Sequence, residues 1–189
     1  MFAFPKIHSF PPFYTQQQNS TVRENQLNEW GQLILAYCQH HRILTILPSG
    51  TAMATQEEAE IPPLFENKLI ERSAAPEFRR SILNHLIHKL DRAQYVDPKQ
   101  QDAGILIFWR TADEWARMLY EQIEKTGQTN SVLTVYELTQ LDELAAGAEF
   151  RNMDYNMLAR IVEVLVRQGK AQVLRSDDGL GRIEGVKML

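Results

Sequence analysis

Apolar side chains recur at spacings of three and four along two stretches of the chain: Phe78, Ile82, Leu83, Leu86, Ile87 and Leu90, and then Leu158, Ile161, Val162 and Leu165. That spacing puts each set on one side of a helix. The first of these helices is expected to start at Pro76, since proline suits the first helical turn, and the second after Asp154, a good N-cap. Each is followed by two strand-like runs joined by a turn: "AQYV", "DPKQQDAG" and "ILIFW" in one case, "AQVL", "RSDDGLGR" and "IEGVKML" in the other. Earlier helix starts are marked by Thr-x-x-Glu capping boxes at Thr21 to Glu24, Thr111 to Glu114 and Thr134 to Glu137. In such a box a hydroxyl and a carboxylate satisfy the free amides of a first turn.

These elements come in two similar sets. "NEWGQLILAYCQHH" aligns with "DEWARMLYEQIEKT", placing Glu29-Trp30 on Glu114-Trp115; "SILNHLIHKLDRAQYV" aligns with "ARIVEVLVRQGKAQVL", placing Ala93-Gln94 on Ala171-Gln172. Two matches in the same order mean one unit used twice. Each unit is expected to run helix, strand, helix, helix, strand, strand. Three helices with a strand hairpin form a winged helix, the helix-turn-helix variant whose hairpin is the wing. The predicted fold class is α+β, predominantly helical, with two tandem winged-helix domains. A segment 1–20 would precede domains over 21–110 and 111–189, and so short a join near Arg110-Thr111 is expected to fix their relative orientation.

Composition changes this picture only by exclusion. At 44% hydrophobic and 23% charged residues the chain is of ordinary globular type. No apolar run reaches the ~18 residues that cross a bilayer, and "MFAFPKIHSF" lacks a basic region before an apolar core, so a cytoplasmic protein is expected. One cysteine, Cys38, leaves no internal disulfide, and its place between apolar helix positions suits packing. Residues 1–110 carry 11 Lys/Arg against 11 Asp/Glu, and residues 111–189 carry 9 against 13. A winged helix raises DNA binding as a function, but neither half has a basic excess, and Asp177-Asp178 at the second wing has the wrong sign for phosphate. A protein partner is the better expectation, and a double winged-helix DNA-binding protein acting in transcription is the rival from another class.

No catalytic constellation or cofactor site emerges. His85 and His88 share a helix face without a third ligand. His40-His41 close a helix, Glu57, Glu58 and Glu60 read as a solvated acidic run, and Gly179-Leu180-Gly181 is a hairpin turn. Asn19-Ser20-Thr21 is a glycosylation sequon in form only.

The run "SFPPFYT" remains. Pro11 and Pro12 fix φ and favour polyproline II, which would present Phe13 and Tyr14 to a partner's pocket with little entropy left to lose. The same rings fit two other readings, folding back over the chain's own first domain, or serving as a Pro-Pro-x-Tyr ligand for a WW domain.

Together, "FPPFYT", "NEWGQLILAYC", "ILIFWRTADEWARMLYEQIEKTGQTNSVLTVYEL" and "AEFRNMD" resemble the vacuolar protein sorting subunit twenty-five family, the small tandem winged-helix subunit of the ESCRT-II endosomal sorting complex. The resemblance covers essentially the whole chain. It implies a non-catalytic adaptor, two copies of which bind two larger winged-helix subunits through the N-terminal motif, here Pro11, Pro12, Phe13 and Tyr14. An earlier copy of that motif is reduced to "FPKIHSF", where Phe4, Pro5 and Phe10 would contribute. It further implies that the second domain binds the N-terminal helix of an ESCRT-III subunit, with Leu133, Tyr136, Glu149, Phe150 and Arg151 as candidates. On that reading the protein acts in sorting ubiquitinated cargo, is recruited to endosomes, and associates with membrane only indirectly.

Overall fold

Asn19, rather than Thr21, begins the first long helix. In the computed structural model, which describes residues 2–53, 61–140 and 148–189, helix α1 runs Ser20–His40, and the Asn19 carboxamide accepts from the Val22 amide at 3.1 Å. Asparagine caps at least as well as threonine and stands two residues earlier, so Thr21 falls inside the helix and the predicted first capping box does not form. The other two boxes do. Thr111 and Glu114 exchange bonds at the start of α3 (Ala112–Lys125), and Thr134 and Glu137 do the same at α4 (Val135–Gln140).

The chain divides into two units, Met1–Trp109 and Arg110–Leu189. In the first, α2 (Pro76–His88) packs on α1, and Phe78, Ile82, Leu83 and Leu86 meet Trp30, Ile34 and Cys38 in a core closed to solvent. His85 sits on this face because its Nε2 lies 2.7 Å from the Asn28 carboxamide of α1. In the second unit α5 (Tyr155–Arg167), capped by Asp154, packs on α3 in the corresponding way.

Each unit closes with a three-stranded antiparallel sheet. In the first, β1 (Thr45–Ile46), β4 (Ala93–Tyr95) and β5 (Ile105–Ile107) lie in the order β1-β5-β4. In the second, β6 (Val132–Thr134), β7 (Ala171–Arg175) and β8 (Ile183–Met188) lie in the order β6-β8-β7. In both, the last strand is central and takes the strand after the first helix on its free edge. The sequence repeat is thus a repeat of topology, and each unit is a winged helix.

The first unit departs from the predicted order in one place. Among the described residues between β1 and α2 there is no α-helix but a short hairpin, β2 (Glu66–Asn67) with β3 (Arg72–Ser73), closed by a single 3-10 turn over Lys68–Ile70. Asn67 accepts from the Leu69 amide with its own side chain, an asparagine habit that favours turns over helix. The acidic run Glu57, Glu58 and Glu60 lies outside the described residues.

Candidate functional site

Pro11–Tyr14 forms one turn of 3-10 helix instead of the expected polyproline II, with the Phe10 carbonyl accepting from the Phe13 amide at 2.9 Å. Proline's φ suits either conformation, and packing decides between them. The turn brings Phe13 flat onto the Trp30 indole, ring centroids 4.2 Å apart and 4° from parallel, and sets Tyr14 edge-on to the same indole at 5.6 Å. Phe13 is 2% exposed and Tyr14 3%. Burying two such rings contributes on the order of 1.5–3 kcal/mol each. The expectation of a segment that holds these rings out for a partner is corrected; of the alternatives considered, folding back over the first domain is the one adopted.

Helix α1 also secures the segment's backbone. Gln26 donates from Nε2 to the carbonyls of Pro12 at 3.1 Å, Phe13 at 3.1 Å and Thr15 at 2.8 Å, while its carbonyl oxygen accepts from the Gln17 amide. Trp30 Nε1 donates to Phe13 O at 2.9 Å. The Phe13 carbonyl is buried and takes both donors, and leaving it unpaired would be costly, so the two side chains fix the path of the chain as well as its depth; the Pro12 and Thr15 carbonyls also accept from Gln17 Nε2.

A second buried cluster lies at His8. Its carbonyl accepts from Tyr14 Oη at 2.8 Å and from Asn67 Nδ2 at 2.9 Å, and that carboxamide nitrogen also approaches His8 Nδ1 at 3.2 Å. The amide can only donate, so Nδ1 accepts and the ring proton sits on Nε2. Burial lowers the His8 pKa and pushes the Tyr14 hydroxyl up to about 12. Phe4, half-buried, stacks on the imidazole at 3.9 Å.

What faces outward is the other side of the turn. Phe10 is 56% exposed, and Pro5, Pro11 and Pro12 are exposed with it. The segment is a ridge of Phe10, Pro11 and Pro12 carried on an anchor of Phe13 and Tyr14. Trp30 had a signal in the sequence, since the repeat aligns it with Trp115, and both indoles are packed against phenylalanine, Trp30 against Phe13, Phe65 and Phe78 and Trp115 against Phe150. Gln26 and Asn67 had none.

In the second unit the candidates divide. Phe150 is fully buried against Trp115, and Leu133 points inward opposite Val186, so these two build the core instead of facing a partner. Strand alternation and the closed core leave them no outward path. Tyr136, by contrast, is 64% exposed on α4, and Arg151 is exposed. Glu149 is half-buried and ion-paired with Arg110 at 3.3 Å, whose guanidinium lies over the Trp115 ring.

The second wing is unfavourable to nucleic acid. Asp178 accepts from Ser176 Oγ at 2.6 Å and from the Leu180 amide at 2.9 Å, which lowers its pKa and keeps the wing tip anionic. Burial raises the Cys38 thiol pKa far out of the reactive range. Among the described residues, no group of three or more His, Cys, Asp or Glu could hold a metal, and no helix is long and apolar enough to cross a membrane.

Comparison with known proteins adds three findings. A family model described as ESCRT-II complex subunit matches residues 7–154. The chain is 36% identical over 180 residues to vacuolar protein-sorting-associated protein 25 of Xenopus laevis, spanning 95% of this chain and 97% of that one, and 33% identical to the Homo sapiens protein of the same name, spanning 95% and 96%. Its fold is similar to the crystal structure of subunit VPS25 of the endosomal trafficking complex ESCRT-II, with a TM-score of 0.85, 27% identity, and coverage of 98% of this chain and 100% of that one. Against the crystal structure of the endosomal complex ESCRT-II (VPS22/VPS25/VPS36) the TM-score is 0.81, at 27% identity over the whole of both chains.

Proposed function

The chain belongs to the ESCRT-II complex subunit family, and from that membership we propose that it is a non-catalytic adaptor assembling with the two larger subunits, of the VPS22 and VPS36 kinds. The observation that carries this is the likeness in sequence and fold over nearly the entire chain. Two copies of the chain would enter each complex, and the larger subunits would be bound through the N-terminal segment. Within that segment the exposed ridge of Phe10, Pro11 and Pro12, with Pro5 beside it, makes the contact. Phe13, Tyr14 and Phe4 hold the ridge in place.

The second unit would dock the N-terminal helix of an ESCRT-III subunit through its outward residues, Tyr136 and Arg151 with Glu149. Leu133 and Phe150 support that surface from beneath. The protein would be cytoplasmic, recruited to endosomal membranes through its partners, and would act there in sorting ubiquitinated membrane proteins into multivesicular endosomes. The balanced charge and the anionic second wing favour protein partners over DNA.

The test is to mix the purified chain with the two larger subunits and, in parallel, with duplex DNA at physiological salt. Co-elution with the subunits and no retention on DNA is expected. Failure to co-elute, together with salt-sensitive DNA binding, overturns the proposal.

A further inference from the structure

We infer that Leu69, at the tip of the β2–β3 hairpin, is a second contact for the same larger ESCRT-II subunit that the Phe10–Pro11–Pro12 ridge engages, entering an apolar pocket on that subunit. The inference rests on the reading that the N-terminal ridge binds a larger subunit.

Leu69 is 94% exposed, so the chain's own fold makes almost no use of its side chain. A lone exposed leucine is ordinary on a protein surface and by itself says little. This one differs in how it is held. The Leu69 amide donates to the Asn67 side chain at 3.0 Å, and two residues further on Glu71 takes a left-handed conformation, φ +53°, to turn the chain back into β3. A non-glycine residue there is strained, and such strain persists only where the surroundings impose it. The hairpin tip is therefore clamped.

The clamp is shared with the ridge. The carboxamide that accepts from Leu69 donates through its nitrogen to the His8 carbonyl at 2.9 Å, and the same carbonyl takes the Tyr14 hydroxyl at 2.8 Å. Strand β3 packs directly on the Pro11–Tyr14 turn. Phe10 stands two residues beyond His8, and Leu69 two beyond Asn67. Two Cα steps on each side of that hydrogen bond hold Phe10 and Leu69 within about 24 Å of each other. A partner footprint of ~800 Å² is roughly 30 Å across, wide enough for one subunit to cover both the ridge and the hairpin tip. Both apolar groups project from backbone held by one buried, hydrogen-bonded platform, so only their side chains are ordered on binding, which favours the affinity of an apolar contact. Lys68 and Glu71, both exposed, flank Leu69, so the pocket that takes it has a polar rim.

The experiment uses the full chain with both larger subunits. Leu69→Ala and Leu69→Asp are titrated by calorimetry beside wild type and Phe10→Ala, and a photoreactive amino acid at position 69 is cross-linked in the assembled complex. Because the side chain touches so little of its own fold, melting temperatures are expected within about 2 °C of wild type. Expected binding losses are ~10-fold for Leu69→Ala and more for Leu69→Asp, with the cross-link landing on a larger subunit. If Leu69→Asp binds like wild type while Phe10→Ala does not, or if the cross-link reaches neither larger subunit, the inference is overturned and the ridge reading stands. If Phe10→Ala also binds like wild type, the ridge reading fails as well.

Discussion

Tyr14 does two jobs that substitution can separate. Its ring packs edge-on to Trp30, and its hydroxyl is one of two donors to the His8 carbonyl. Tyr14→Phe removes only one donor, and Asn67 keeps that carbonyl satisfied, so a loss of about 1 kcal/mol in chemical denaturation is expected. Tyr14→Ala and Phe13→Ala each empty a site inside the core and are expected to cost about 3–5 kcal/mol. Melting temperatures unchanged by the alanine variants would mean that the segment does not belong to the first unit's core. His8 gives a pH dependence with a definite sign. Burial lowers its pKa, so the unfolded chain takes up a proton near pH 6.5 that the folded chain resists. The stabilising effect of keeping His8 neutral is full above pH 6.5 and is lost as pH falls through the folded pKa; His85, also lowered by burial, acts in the same direction. The melting temperature should fall between pH 7.5 and 5.5, and His8→Gln should flatten the slope. An equal slope in the variant would remove His8 from the account.

At the level of elements, the start of α1 supplies the sharpest contrast. Asn19 carries the cap and Thr21 stands within the first turn, so Asn19→Ala is expected to cost ~1 kcal/mol and Thr21→Ala only a few tenths, read from urea midpoints. The reverse order would restore the sequence motif's own prediction. That motif failed because two good caps lay two residues apart and local chemistry did not rank them. At Thr111 and Thr134 the two preceding residues, Trp109-Arg110 and Val132-Leu133, cannot cap, so nothing stands earlier to take the role and the start was legible. Strands were legible for a similar reason: the runs at Ala93, Ile105, Ala171 and Ile183 are short, apolar-rich and bounded by turn residues. The N-terminal turn was not. Proline permits both conformations, and the choice rests on Gln26, Trp30 and Asn67, the last of which meets His8 across 59 positions of sequence. The β2–β3 hairpin was hidden in the same way, because the Asn67 side chain closes the turn and at the same time binds the distant segment.

For the whole molecule, the bridging proposal makes a claim that neither unit makes alone. The exposed ridge belongs to one unit and Tyr136 and Arg151 to the other, and each unit has its own core and its own sheet. A substitution on either surface removes no buried group, so it is expected to act only where it is made. Phe10→Ala combined with Pro11→Ala should weaken assembly with the larger subunits by at least ~10-fold and leave binding of an ESCRT-III N-terminal helix unchanged. Tyr136→Ala combined with Arg151→Glu should do the opposite. Both pairs are measured by titrating the two partners separately against each variant, with melting curves as the control for folding. A bridge also requires that one chain hold both partners at once, so wild type should form a ternary species by light scattering while each double variant stops at a different binary complex. If either variant loses both partners with its melting temperature intact, or if the two partners displace one another from wild type, the contacts are not independent and the chain is not a bridge.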